Sequence, residues 1–326
     1  MGILRSNVER RRTCAAALSL AALAACAASP VQVPVRFLAP TTVEEAVIPG
    51  LFACGEGHQP AHVDPYRPVH ILVHGTNSSN EKFETLAEVF ALSDQQAVCF
   101  TYDDRESLDR SSARLAWAIE KLQAQVHPKD VVVLGHSQGG LIARRALIRD
   151  RKDGVQLDAE EVRIRLVTVA TPFGGIRSAS NCGSVVRHVV SLGLTTGICH
   201  LVAGPKWLQI HPGSWFIQQP GELDGHVVEH LKVNTDEEGT CREYLGPDRC
   251  VRSDAVFRLE EQFQDRVDGD PRVKNETVRA GHSEVVGESG HPPLTLVKVL
   301  QQHQILAPVP KGVEQPFAVV LHELFQ

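Results

Sequence analysis

The stretch Val131-Val132-Val133-Leu134-Gly135-His136-Ser137-Gln138-Gly139-Gly140-Leu141-Ile142-Ala143-Arg144-Arg145-Ala146-Leu147 says most about how this chain folds. Val131 to Leu134 is a β-branched, apolar run, the composition of a strand covered on both faces. Gly140 to Leu147 reads as a helix. Between them, Gly135-His136-Ser137-Gln138-Gly139 puts a serine at the centre of a tight turn. A G-x-S-x-G pentapeptide alone is a weak signal. Set between a strand and a helix, it implies a strained turn that lifts the Ser137 hydroxyl above the sheet. The glycines let the helix pack close to the strand. The N-terminus of that helix favours negative charge developing nearby.

Outward from this turn, strands alternate with helices. Val69-His70-Ile71-Leu72-Val73 is a nearly continuous apolar strand that runs into His74-Gly75-Thr76-Asn77. Glu81 to Leu92 has helical spacing through Phe83, Leu86, Ala87 and Phe90. Ala97 to Tyr102 is the next strand, and Leu108 to Val126 the next helix, through Leu115, Ile119 and Leu122. Arg163 to Ala170, His226 to Val233 and Arg272 to Val278 read as further strands, and Leu294 to His303 as a closing helix. Such alternation implies an α/β fold with a mostly parallel sheet flanked by helices. From Ile176 to Gly225 the alternation breaks, and the segment is rich in apolar residues including Trp207, Trp215 and Phe216. We read it as a cap over a ligand pocket, the alternative being an insertion packed on the core.

The 326 residues carry a formal net charge of −6, without a basic stripe beyond the first residues, which argues against a nucleic-acid partner. Arg5, Arg10, Arg11 and Arg12 followed by the apolar run Ala15 to Ala25 form a targeting segment too short to span a bilayer comfortably. Residues 26–63 read as a Pro- and Ala-rich tether and lead-in, 64–306 as the main domain, and 307–326 as a short tail. Eight cysteines are present. Setting aside Cys14 and Cys26 leaves Cys54, Cys99, Cys182, Cys199, Cys241 and Cys250, an even set that reads as disulfides in an exported chain. Fifteen pairings of six cysteines are possible. Proximity favours Cys182 with Cys199 and Cys241 with Cys250, leaving Cys54 for Cys99. No close Cys-x-x-Cys pair suggests a metal site.

The turn at Ser137 resembles that of the α/β-hydrolases, and within them the bacterial lipases and esterases. Three further stretches carry the resemblance: His74-Gly75-Thr76, Ala170-Thr171-Pro172-Phe173-Gly174-Gly175, and the loop Ala280-Gly281-His282-Ser283-Glu284-Val285-Val286. Gln209-Ile210-His211-Pro212-Gly213-Ser214-Trp215-Phe216 is similar to a stretch of that group's cap region. Leu23-Ala24-Ala25-Cys26 resembles a bacterial lipobox, implying lipidation of Cys26 and a cell-envelope, outer-membrane location; cleavage without lipidation would leave a secreted or periplasmic protein.

The resemblance implies an α/β-hydrolase fold with a cap insertion and an acyl-enzyme mechanism needing no cofactor. A serine hydroxyl needs a base in hydrogen-bond reach and a third group to orient that base. In this family the order along the chain is Ser, then Asp or Glu, then His. His282 is therefore the expected base, with His291 a poorer candidate beside Pro292 and Pro293, and with His226, His230 and His303 structural. Asp254, in a Ser-Asp-Ala-Val context similar to the family's Asp-Gly-Val-Val, is the expected orienting acid; Asp236 is the alternative. Glu237 and Glu238 read as solvated loop charge. The amides of Thr76 and Gln138 are the expected oxyanion donors. The implied activity is hydrolysis of an ester or lipid, with an acyltransferase or phospholipase using the same residues, or a non-enzymatic binding lipoprotein, as alternatives.

Overall fold

The computed structural model describes residues 47–55, 57–76, 83–104, 106–151, 162–177, 206–246, 249–288, 290–308 and 314–325. Its strands are, in chain order, β1 (Leu51–Phe52), β2 (Val69–Val73), β3 (Gln96–Phe100), β4 (Asp130–His136), β5 (Arg163–Val169), β6 (Val227–Asp236), β7 (Cys241–Leu245), β8 (Arg249–Ser253) and β9 (Val273–Arg279). Seven of them form one sheet in the order β1-β3-β2-β4-β5-β6-β9. Every pairing in that sheet is parallel except β1 with β3. The main helices are α1 (Glu84–Leu92), α2 (Leu108–Val126), α3 (Gln138–Ala146), α4 (Leu294–Gln302) and α5 (Glu314–Leu324).

The two-residue alternation of the strands splits the core. Val69, Ile71, Val73, Val131 and Val133 join one apolar cluster with α2 and α3 residues such as Leu115, Ile119 and Ile142. Leu72, Val132 and Leu134 face the opposite side, with Leu86 and Phe90 of α1 and Leu296 and Leu300 of α4. Both faces of the sheet are thus covered, which is why its central strands read as unbroken apolar runs. Helix α2 starts on Ser107, whose side chain accepts from the Arg110 amide, and ends on His127 in the left-handed conformation.

Several boundaries differ from the sequence reading. The lead-in is part of the domain from residue 47 onward: Ile48, Leu51, Ala61 and Val63 are buried, and β1 makes the antiparallel edge. A two-residue strand leaves no periodicity to read. The tail is structural too, since α5 buries Leu321 and the chain buries Phe325 in the second cluster. The segment from Asn234 to Arg252, where Glu237 and Glu238 read as solvated loop charge, is the end of β6 followed by the antiparallel hairpin β7–β8. In the insertion, residues 178–205 lie outside the described residues. The described remainder packs on the core: Ile210, Phe216, Ile217 and Leu223 are buried.

Cys54 is bonded to Cys99, with Cα atoms 5.0 Å apart, and Cys241 to Cys250, at 5.8 Å. Such bridges suggest an exported protein. Cys26, Cys182 and Cys199 lie outside the described residues. Among the described residues no helix is long and apolar enough to cross a membrane.

Candidate active site

Ser137 has φ 53° and ψ −123°, between the end of β4 and the first turn of α3. A residue with a Cβ reaches this conformation only at an energetic cost, of about 1–3 kcal/mol, which the surroundings must hold in place. Steric closeness supplies that hold. A Cβ on Gly135 would lie 2.5 Å from the Gly139 carbonyl oxygen, one on Gly139 would lie 2.2 Å from that of Val73, and one on Gly140 would lie 2.0 Å from Thr171 Oγ1. The three glycines therefore let α3 press against β2 and against the Thr171-Pro172-Phe173-Gly174 turn. The Ser137 amide donates to the Val169 carbonyl at 2.9 Å, anchoring the turn to β5.

The loop after β2 passes beside the serine. A Cβ on Gly75 would meet Ser137 Cβ at 3.0 Å. His74 stacks on Tyr102, with ring centroids 4.4 Å apart, and the Tyr102 hydroxyl donates to the His74 carbonyl at 2.7 Å. Burial, then the nearby Asp104 charge, push the Tyr102 pKa well above its ordinary value, so the phenol keeps the proton it donates. Thr76 Oγ1 donates to Gln138 Oε1, tying the two expected oxyanion residues together. Gln138 is the first residue of α3, where the amide has no partner within its own helix.

His282 comes to this turn through His136, the residue before the serine. The two rings lie 4.8 Å apart, and His136 Nε2–H donates to the His282 carbonyl at 2.8 Å. Phe257 covers the imidazole edge-on at 4.8 Å. The residue on its Nδ1 is Glu237, at 2.8 Å, and the pair is almost fully buried. A carboxylate only accepts, so it is Nδ1 that carries a proton toward Glu237.

Neither expected acid occupies this position. Glu237 is 1% exposed, and donors besides the imidazole surround it at its two carboxylate oxygens and its carbonyl. Thr235 Oγ1 donates to Oε1 at 2.9 Å, the Val256 and Phe257 amides donate to Oε2 at 2.7 and 3.3 Å, and Thr240 Oγ1 donates to the carbonyl at 2.7 Å. It is a desolvated, saturated acceptor rather than the solvated loop charge its sequence context suggests. Asp236, one residue earlier, faces the other way, toward Arg279 at 3.6 Å on the sheet edge; a one-residue step along a strand reverses the side. Asp254 is buried next to the histidine loop but holds its backbone. Its carboxylate accepts from the Ser283 amide at 3.0 Å and the Glu284 amide at 3.0 Å, and pairs with Arg242 at 2.9 Å. The sequence did carry a signal for Glu237: it follows a strand at the place where the family allows an acid. Three consecutive acids concealed which one turns inward.

Of the other histidines, His291 lies at a turn closing on Glu288. His226 pairs with Asp224, His303 with Glu276, and His230 with Thr168.

A strained serine between parallel strand and helix, a fixed loop beside it and a buried carboxylate–imidazole pair define a hydrolase of the α/β class. The model of the alpha/beta hydrolase family matches residues 71–295, and the chain belongs to that family. Its fold is similar to that of the lipase BlEst2 of Bacillus licheniformis. The mature form superposes with TM-score 0.54 at 16% identity, over 75% of this chain and 94% of that one. The propeptide form gives TM-score 0.53 at 15% identity, over 79% of this chain and 53% of that one. At such identity the likeness is one of fold. No curated protein matches the chain in sequence.

Proposed function

We propose that the protein is a serine hydrolase that cleaves carboxylic esters, of the lipase or esterase type, through an acyl-enzyme on Ser137. The observation that carries this reading is the Glu237–His282 pair, 2.8 Å between heavy atoms, brought beside the strained turn by His136. His282 Nε2 takes the proton as Ser137 Oγ attacks the ester carbonyl. Glu237 holds the ring as the Nδ1–H tautomer and stabilises the imidazolium that forms. The amides of Thr76 and Gln138 receive the oxyanion. His282 then passes its proton to the leaving alcohol. Water deprotonated by the same nitrogen releases the acid. The lipase neighbours in fold support an ester as the substrate class, and the two disulfides support export. Within that reading Cys26 carries a lipid that anchors the protein to the cell envelope.

The test is hydrolysis of p-nitrophenyl esters of rising chain length by the purified protein, with labelling by a fluorophosphonate. Turnover and labelling of the wild type, both lost in Ser137→Ala, are expected. Failure of the wild type to label would overturn the reading and favour a binding module. Transfer of the acyl group to added alcohol in preference to water would make the protein an acyltransferase. Incorporation of radiolabelled palmitate into the wild type but not into Cys26→Ala is expected for the lipid anchor.

A further inference from the structure

Glu237 and Asp254 stand at the two ends of one short insertion. β7 starts four residues after Glu237, β8 ends at Ser253, and the Cys241–Cys250 bond staples the hairpin between them. Thr240 joins the ends: its amide and hydroxyl donate to the Glu237 carbonyl at 3.1 and 2.7 Å, and its carbonyl accepts from the Asp254 amide at 3.2 Å. Both acidic residues then reach His282. Glu237 takes the ring. Asp254 takes the backbone, accepting the His282 amide on its carbonyl at 2.9 Å and the next two amides on its carboxylate. Gly281 is part of this fit, because a Cβ there would lie 2.1 Å from Asp254 Oδ2.

What holds Asp254 in turn is Arg242, on the hairpin. Its guanidinium pairs with Asp254 Oδ1 at 2.9 Å and with Glu288 at 3.0 Å, at the far end of the histidine loop. On the opposite flank Phe325 of the C-terminal segment packs against Gly287, which has φ 93°. A single guanidinium thus holds the loop carrying the imidazole at Glu288 directly and at its other end through Asp254. Nothing in the chemistry of ester cleavage needs Arg242, which touches neither His282 nor Ser137 among the described contacts.

We propose that Arg242, acting through Asp254, is a positioning residue for the base: the stapled hairpin sets the angle at which His282 meets Glu237. This rests on the hydrolase reading above and deepens it. An arginine that merely stabilises the fold would, on removal, lower the melting temperature and leave the folded fraction fully active. A positioning arginine acts on kcat, because a misaligned imidazole deprotonates the serine poorly while leaving the ester site intact.

The experiment compares wild type, Arg242→Ala, Arg242→Lys and the Cys241→Ser/Cys250→Ser double variant in the full chain. It measures kcat and KM on a soluble p-nitrophenyl ester, the rate of fluorophosphonate labelling, the melting temperature, and the downfield proton resonance of the His282 Nδ1–H. For Arg242→Ala we expect kcat and labelling rate to fall together by roughly 10- to 100-fold, as for loss of alignment, with KM nearly unchanged and the resonance broadened or lost. Arg242→Lys keeps the charge and restores part of kcat; the double variant falls between it and the alanine. Wild-type kcat and labelling in Arg242→Ala, whatever its melting temperature, would overturn the proposal and leave the hydrolase intact. If Arg242→Ala fails to fold, Arg242→Lys decides: full activity with an unbroadened resonance counts against positioning by the two-ended guanidinium grip, and a kcat loss in folded protein supports it. Failure of the wild type to label with fluorophosphonate is the distinct result that removes the hydrolase reading itself.

Discussion

The turn that carries Ser137 and the arm that carries His282 are built on opposite plans. At the turn, neighbours in sequence are neighbours in space. Gly135, Ser137, Gln138, Gly139 and Gly140 make one strained stretch of backbone, pressed close against β2 and the Thr171 turn. At the arm, every partner comes from elsewhere in the chain: Glu237 is 45 residues from His282 and His136 is 146 away. The first plan is rigid and intolerant of any added atom. The second is a set of hydrogen bonds in which each partner can be changed separately, so its parts can be ranked by what they contribute.

The largest expected effect sits at the turn. Ser137→Ala should lower kcat for a p-nitrophenyl ester by about four powers of ten or more, with the melting temperature nearly unchanged. Gly140→Ala should be as damaging for a different reason. Its Cβ would fall 2.0 Å from Thr171 Oγ1, and soluble folded protein, measured by circular dichroism and yield, should drop sharply.

In the arm, Glu237→Gln should reduce kcat by roughly three to four powers of ten, because the imidazole loses the acceptor that fixes its tautomer. Asp236→Asn, one residue away on the exposed edge, should stay within about twofold of wild type, as surface changes do. Equal losses in the two variants would erase the distinction between the acids. Asp254→Asn should fall between them and lose more stability than Asp236→Asn, since it breaks a buried ion pair with Arg242.

The smallest effect concerns pH and the sheet beneath both regions. His230 is fully buried, and desolvation, then the charge of Arg144, hold its pKa well below 6.5. His70 is lowered in the same direction, chiefly by burial. A base whose folded pKa is depressed binds fewer protons folded than unfolded. Stability from these residues is therefore full above about pH 6.5 and is lost as pH falls toward their folded values. Urea unfolding at pH 7.5 and at decreasing pH should show that decline. His230→Gln, less stable at pH 7.5, should flatten it by up to about one proton, or ~1.4 kcal/mol per pH unit. An unchanged slope would mean that His230 is not the titrating group.

Legibility followed the same division. Leu108 to Val126 was readable to its ends because Leu115, Ile119 and Leu122 repeat at helical spacing and face one core. β1 was not, since its two residues have no period. The α5 segment was not, because Leu321 is buried only by the tertiary core and Phe325, just past the helix, finds its partner at Gly287, far back in the chain. Asp254 stood in a motif-like context and yet serves as a backbone anchor. Glu237, bracketed by Asp236 and Glu238, carries the imidazole.

By itself the sequence determined the alternating α/β architecture and the strained serine turn, because both are written in short-range spacing: the period of apolar residues and the positions of glycines. Only the tertiary structure decided which carboxylate meets the His282 imidazole and what grips the histidine loop. Those choices depend on which way a side chain leaves the end of a strand and on which distant loops arrive there. One-dimensional spacing does not encode either.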